Sequence, residues 1–209
     1  MAADTPPLDT QVLQHTADDL ARKYEGIFSP ETIERYVFES YTTLSRTARI
    51  RDHLAILAER FAADRLRALA LAQGKIETTV PQVLFVCVHN VGRSQIASAL
   101  LAHYAGDRVE VRSAGSLPGS EVHPLVIDAL AERHIDLSGA FPKPLTDDVV
   151  RAADYVITMG CGDACPIYPG KRYLDWELAD PAEETPERIR EIVDQIDDRV
   201  RALWTEIQN

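Results

Sequence analysis

Residues 82–95 read Gln82-Val83-Leu84-Phe85-Val86-Cys87-Val88-His89-Asn90-Val91-Gly92-Arg93-Ser94-Gln95, and the fold turns on how they are read. Residues 83–86 form a short apolar run rich in β-branched side chains, the composition of a buried strand. The run delivers Cys87 to a turn, Arg93 follows six positions later, and a helix starts at once. Strand, phosphate-sized loop and helix N-terminus in that order make an anion site, because the first N–H groups of a helix lack intrahelical partners and carry positive charge. Val88, His89, Asn90, Val91 and Gly92 are just enough residues to wrap N–H groups around a tetrahedral oxyanion. Gly92 tolerates an unusual φ, Arg93 clamps two oxygens with a planar fork, and the helix dipole adds to the field. The same field falls on Cys87 and favours its thiolate, the nucleophilic form. Ser94 Oγ can donate a hydrogen bond to that sulfur, and Asn90 can hold the loop shape through bonds to the backbone. His89 reads as a loop residue that modulates the site. A cysteine alone at a strand end would be a small hydrophobe; Arg93 and Ser94 at this spacing lift Cys87 above that reading.

Working outward, the region from residue 83 onward alternates strands and helices. The pattern predicts strands at 83–86, 109–113, 155–159 and 172–174, with helices at 93–104, 123–133, up to about 152, and 186–207. Such alternation with short loops means a four-stranded parallel sheet with helices on both faces, an α/β fold. Ligands on these sheets bind at the carboxyl ends of strands, where Cys87 and the Gly/Cys/Pro-rich stretch 160–170 both fall.

Upstream the periodicity is helical throughout. Residues 1–8 read as disordered, and Val12, Leu13, Ala17, Leu20 and Ala21 recur at helical spacing from about Thr10 to Tyr24. Ser29-Pro30-Glu31-Thr32 is a helix start, with serine as N-cap and proline in the first turn. That second helix turns Ile33, Tyr36, Val37 and Tyr41 inward. A third, after Ser45, carries Ile50, Leu54, Leu57, Ala58, Phe61, Leu66 and Leu69 and ends near Gly74. Residues 1–80 are thus expected to be a small three-helix module, with a linker near 74–81, and residues 81–209 the catalytic domain. The module has no cysteine, and with 10 basic and 12 acidic residues over 1–78 it is nearly neutral. It offers neither the basic recognition helix nor the wing of a DNA-binding domain, so docking, stabilisation or a homodimer through these helices is its expected role.

The net charge of −11 over 209 residues argues against a nucleic-acid partner, which needs a basic footprint. No stretch reaches the about 20 apolar residues of a membrane span, and the polar, acidic N-terminus is no secretory signal, so a cytoplasmic protein with no membrane contact is expected. Three cysteines cannot close a disulfide framework, and in a reducing compartment they point to catalysis, metal or redox chemistry. One Cys-x3-Cys, Cys161 and Cys165, with no histidine close by argues against zinc, so no metal is expected.

Cys-Val-His-Asn-Val-Gly-Arg-Ser resembles the Cys-x5-Arg-Ser loop of the low-molecular-weight protein tyrosine phosphatase family, including its arsenate reductase branch. The resemblance runs from about residue 83 to the C-terminus. It includes Ser113-Ala114-Gly115, the stretch Met159-Gly160-Cys161-Gly162-Asp163-Ala164-Cys165-Pro166, and Trp176-Glu177-Leu178-Ala179-Asp180-Pro181. It implies a low-molecular-weight phosphatase-like domain in which Asp180 is the general acid beside the loop. A phosphatase needs only Cys87, Arg93 and Asp180. An arsenate reductase must deliver two electrons, and each disulfide formed supplies two. By resemblance to the thioredoxin-coupled enzymes, Cys87 would attack arsenate, Cys161 would attack Cys87 and release arsenite, and Cys165 would pass the disulfide outward. No bound cofactor is implied; reducing equivalents would come from thioredoxin or another cellular thiol, such as mycothiol with a glutaredoxin-like partner. Two departures are plain. Only Gly162-Asp163-Ala164 separate Cys161 from Cys165, fewer residues than in the thioredoxin-coupled relatives. Ala182 and Glu183 follow Asp180-Pro181 where the tyrosine phosphatases commonly have a tyrosine. The second departure favours the reductase over the alternative, a phosphatase of phosphotyrosine or small phosphoesters.

Overall fold

The computed structural model describes residues 7–48, 53–160, 165–181 and 184–209. The chain divides into two compact units, Met1–Glu77 and Thr78–Asn209.

The first unit is three helices, α1 (Pro7–Lys23), α2 (Pro30–Ser45) and α3 (Leu54–Ala72). Ser29 caps α2 with an extended backbone, and its Oγ accepts from Thr32 N at 3.3 Å while Pro30 fills the first turn. Ser29→Ala is expected to cost about 1 kcal/mol, read as a lower urea midpoint of this unit by far-UV circular dichroism. Leu13 and Ala17 of α1, Ile33 and Val37 of α2, and Ala58, Phe61 and Leu66 of α3 are buried. Two readings of this unit need correction. Val12 is 39% exposed, because α1 buries the stripe through Leu13, Ala17 and Leu20 and Val12 lies about 100° off it. Helix α1 also starts earlier, at Pro7, since proline at a helix start forfeits no hydrogen bond. Residues 1–6 and Ile50 lie outside the described residues.

The second unit contains β1 (Gln82–Cys87), α4 (Arg93–Ala105), a 3-10 turn (Gly106–Arg108), β2 (Glu110–Gly115), α5 (Pro124–Ala131), α6 (Asp147–Ala152), β3 (Tyr155–Met159), β4 (Arg172–Asp175) and α7 (Pro186–Ile207). The four strands form the expected all-parallel sheet, in the order β2-β1-β3-β4. Strand β1 is central and buried at every position, which is why it reads as a continuous apolar run. Val83, Phe85 and Cys87 join one core cluster with Ile96 and Leu100 of α4, Leu130 of α5 and Ile196 of α7. The alternate residues Leu84 and Val86 face the other side, where α6 meets β1. Helix α7 is held by its N-cap Thr185, whose Oγ1 accepts from Arg188 N at 3.3 Å, and buries Ile189, Ile192, Val193, Ile196, Val200 and Leu203.

Because β2 lies on one side of β1 and β3 on the other, the chain leaves the carboxyl end of β1 at the point where strand order reverses. A crevice opens there in parallel sheets. Cys87 stands at that point, level with Gly115 of β2 and Met159 of β3. No helix among the described residues is long and apolar enough to cross a membrane.

Candidate functional site

The loop between β1 and α4 is shaped from outside. Its carbonyls are claimed one after another by residues 116–123, which run behind it: Ser116 N donates to Cys87 O at 3.1 Å, Leu117 N to Val88 O at 2.8 Å, Gly119 N to His89 O at 2.9 Å and His123 N to Val91 O at 2.9 Å. Asn90 O accepts from the Gln95 amide at 3.0 Å, and Gly92 O from Ile96 N at 2.9 Å inside α4. In a trans peptide unit the C=O and the following N–H point in opposite directions. With the carbonyls of residues 87–92 engaged outward, the N–H groups that follow them turn inward, which is the arrangement an oxyanion needs. Residues 116–123 carry no motif; the signal that stops just short of them is Ser113-Ala114-Gly115. A Cβ at Gly115 would stand 2.8 Å from Val88 O and 3.0 Å from Asn90 Cβ, so β2 can end against the loop only with glycine there.

Asn90 sits at φ +53°, the left-handed conformation that asparagine tolerates better than most residues. Its carboxamide has a defined orientation: Oδ1 accepts from the backbone N–H of Lys143 at 2.8 Å, so Nδ2 must face Ser94, to which it donates at 2.7 Å. Ser94 Oγ is thereby the acceptor on that side, and its own proton is available to Cys87 Sγ at 3.0 Å. Asn90 N donates to the same sulfur at 3.2 Å. Cys87, Asn90 and Ser94 are all essentially buried, so these are interior hydrogen bonds, two of them delivered to sulfur.

Arg93 opens α4, with its side chain 8% exposed. One nitrogen donates to Asp180 Oδ2 at 2.6 Å, the other to Leu178 O at 3.3 Å. Gly160, at the end of β3, makes room: a Cβ there would stand 3.0 Å from the Arg93 guanidinium. Gly92 proves necessary for a different reason from the one its sequence suggests. Its φ is −137°, outside the left-handed region; the constraint is that a Cβ would overlap Pro181 Cγ. Pro181 therefore packs on the loop, and this fixes Asp180 beside it. Trp176, buried against Phe85 with ring centroids 5.7 Å apart, anchors the start of the same segment. Of the remaining loop residues His89 is exposed, Val88 and Val91 are half-buried.

Cys165 is a buried thiol beside the ends of β3 and β4; Cys161, Gly162, Asp163, Ala164, Ala182 and Glu183 lie outside the described residues. Tyr173 holds the segment after Cys165: its hydroxyl donates to Pro166 O at 3.0 Å and accepts from Tyr168 N at 2.9 Å. Burial first, and then the charge of the nearby Cys165 sulfur, push the Tyr173 phenol up from its ordinary value. The Arg151 guanidinium covers the Tyr168 ring at 4.4 Å. A groove of about 560 Å³ runs past Cys165, walled by Pro166, Ile167, Tyr173 and Leu174, with Ile167 81% exposed.

Residues 82–209 match the family described as low molecular weight phosphotyrosine protein phosphatase, and residues 13–70 match the protein-tyrosine-phosphatase-like N-terminal domain. The solved structure of a thioredoxin-dependent arsenate reductase of Corynebacterium glutamicum is 65% identical, covering 95% of this chain and 98% of its own, with a TM-score of 0.89. An arsenate reductase solved in a phosphate-binding state is 32% identical over 61% of this chain and 99% of its own, with a TM-score of 0.55. A putative arsenate reductase of Halobacterium salinarum is 35% identical over 127 residues, 58% of this chain and 89% of that protein. The chain belongs to the low molecular weight phosphotyrosine protein phosphatase family.

Proposed function

We propose that the protein is a thiol-dependent arsenate reductase that takes its electrons from thioredoxin. The observation that carries this reading is a second buried thiol, Cys165, beside the same carboxyl edge of the sheet as Cys87. The likeness to a thioredoxin-dependent arsenate reductase over nearly the whole chain supports it.

In the proposed reaction arsenate sits in the loop 88–94, held by N–H groups and Arg93. The Cys87 thiolate displaces an arsenate hydroxyl group: an S–As(V) bond forms, the As–OH bond breaks, and the hydroxyl leaves as water with a proton from Asp180. The Cys161 thiolate then attacks Cys87 Sγ. A Cys87–Cys161 disulfide forms, the S–As bond breaks, and its electron pair stays on arsenic, which leaves as arsenite. Cys165 attacks Cys161, returning Cys87 as a thiolate and leaving a Cys161–Cys165 disulfide for thioredoxin to reduce. The apolar groove beside Cys165 suits an approaching protein partner. The helical unit carries none of these residues, and we read it as a docking or dimerisation module.

The assay is NADPH consumption by purified protein with thioredoxin, thioredoxin reductase and arsenate. Cys87→Ser abolishes turnover; Cys161→Ser and Cys165→Ser each stop it after at most one arsenite per enzyme. Normal multiple turnover by both loop variants would sink the relay. Replacing thioredoxin by mycothiol and a glutaredoxin-like protein in a second arm tests the donor. The phosphatase reading draws on Asp180 lying 2.6 Å from Arg93 beside the loop, and it requires efficient hydrolysis of an aryl phosphate in both loop-cysteine variants.

A further inference from the structure

We propose that Gln95 is a positioning residue of the oxyanion loop, whose amide holds Asn90 in the left-handed conformation that turns the loop N–H groups inward. The inference rests on the reading that this loop binds an oxyanion. Gln95 lies in the first turn of α4 and is 2% exposed. Its Nε2 faces three acceptors: Asn90 O at 3.0 Å, Asn90 Oδ1 at 3.1 Å and Phe141 O at 3.1 Å. All three accept only, so the amide must present its NH2 group here, with its two hydrogens shared among them.

What sets Gln95 apart from an ordinary buried glutamine is the place of those bonds. The carbonyls of Cys87, Val88, His89 and Val91 are held by backbone N–H groups of residues 116–123. No N–H from that segment donates to Asn90 O; after Gly119 N reaches His89 O, the next bond is His123 N to Val91 O. Within this collar the Gln95 side chain supplies the bond at position 90. Asn90 is also the loop residue with positive φ, where a non-glycine backbone needs outside support. Through Phe141, Gln95 ties the loop to residues 141–145, a segment already docked by Lys143 N to Asn90 Oδ1, Gly115 N to Lys143 O and Leu145 N to Gly115 O, the latter two at 2.8 Å. Removing the amide frees Asn90 O to rotate inward and compete with an anion for the N–H groups beside it.

The test compares the full chain with Gln95→Met, which keeps the length and removes the donors. Affinities for inorganic phosphate and arsenate are read from protection of Cys87 against iodoacetamide, resolved by mass spectrometry of the Cys87 peptide, with thermal unfolding measured alongside. Oxyanion binding is expected to weaken at least about ten-fold while the variant still melts cooperatively. A dissociation constant within about two-fold of wild type would make Gln95 a merely structural residue. Gln95→Glu is the second variant. An ionised carboxylate opposes all three acceptors, whereas a protonated one restores a single donor. Its binding deficit, relative to wild type at each pH, should therefore shrink from about pH 8 to about pH 5, and a deficit indifferent to pH overturns the proposal. If phosphate and arsenate fail to protect the wild-type chain, the oxyanion reading itself falls, a result distinct from any behaviour of the variants.

Discussion

Asp180→Asn lowers turnover by roughly 10²-fold or more in the reductase assay and at the same time tightens the binding of inorganic phosphate. The two effects have one origin. In the structure the Arg93 guanidinium is engaged with the carboxylate of Asp180 at 2.6 Å and with Leu178 O at 3.3 Å. An oxyanion that needs Arg93 must take over these donors, and it meets the negative charge of Asp180 at the same place. Asparagine keeps the shape and removes the charge, so the competing ion pair and the repulsion both go. Because Asp180 is 41% exposed, the pair is partly screened, and a gain of about ten-fold in phosphate affinity is the expected size. On the proposed acid role of Asp180, turnover is expected to fall because the amide has no acidic proton to give the departing oxygen. A change in the rate of Cys87 alkylation protected by phosphate measures the first effect, and single-turnover kinetics with arsenate the second. Unchanged single-turnover rates would remove Asp180 from the acid role, and weaker phosphate binding would show that Asp180 orients Arg93 rather than competing for it.

Asn90→Ala is expected to be the most destabilising substitution in the loop, at about 3 kcal/mol or more. Two costs combine. Alanine in the left-handed region at φ +53° is strained by roughly 1–2 kcal/mol. The Lys143 N–H loses the Oδ1 acceptor and Ser94 loses a donor, while the Gln95 amide keeps Asn90 O and Phe141 O; a buried group left unsatisfied costs about 1–3 kcal/mol. For a chain of this size the thermal midpoint should fall by roughly 6–12 °C. Asn90→Gly separates the two parts: it removes the strain but not the lost hydrogen bonds, and it should recover about 1 kcal/mol of the deficit. Equal midpoints for the alanine and glycine variants would mean that φ costs nothing here. An alanine midpoint near wild type would mean that the network does not hold the loop.

Both predictions concern relations between residues far apart in the chain, and this marks the limit of what could be read beforehand. The run at 83–86 is apolar at every position because β1 is covered on both faces, so its strand was legible from local composition. Helix α2 was legible for an equally local reason, a serine cap followed by proline. Val12 shares the helical spacing of its neighbours yet is 39% exposed, because burial depends on which face of α1 is covered. Gly92 was attributed to backbone freedom, yet what requires glycine is Pro181, 89 positions later in the chain.

By itself the sequence determined the alternation of strands and helices, the loop from Cys87 to Ser94 and the presence of further thiols, because each of these rests on residues close together in the chain. Only the tertiary structure decided why the loop presents its N–H groups inward. That outcome depends on residues 116–123, on Phe141 and Lys143 and on the Gln95 amide, which take up the carbonyls and the Asn90 side chain from outside. Hydrogen bonds of this kind join backbone groups without regard to side-chain identity, so they leave little trace in composition or spacing. The same holds for Arg93 and Asp180, whose contact across 87 positions is made by the packing of Pro181 on Gly92.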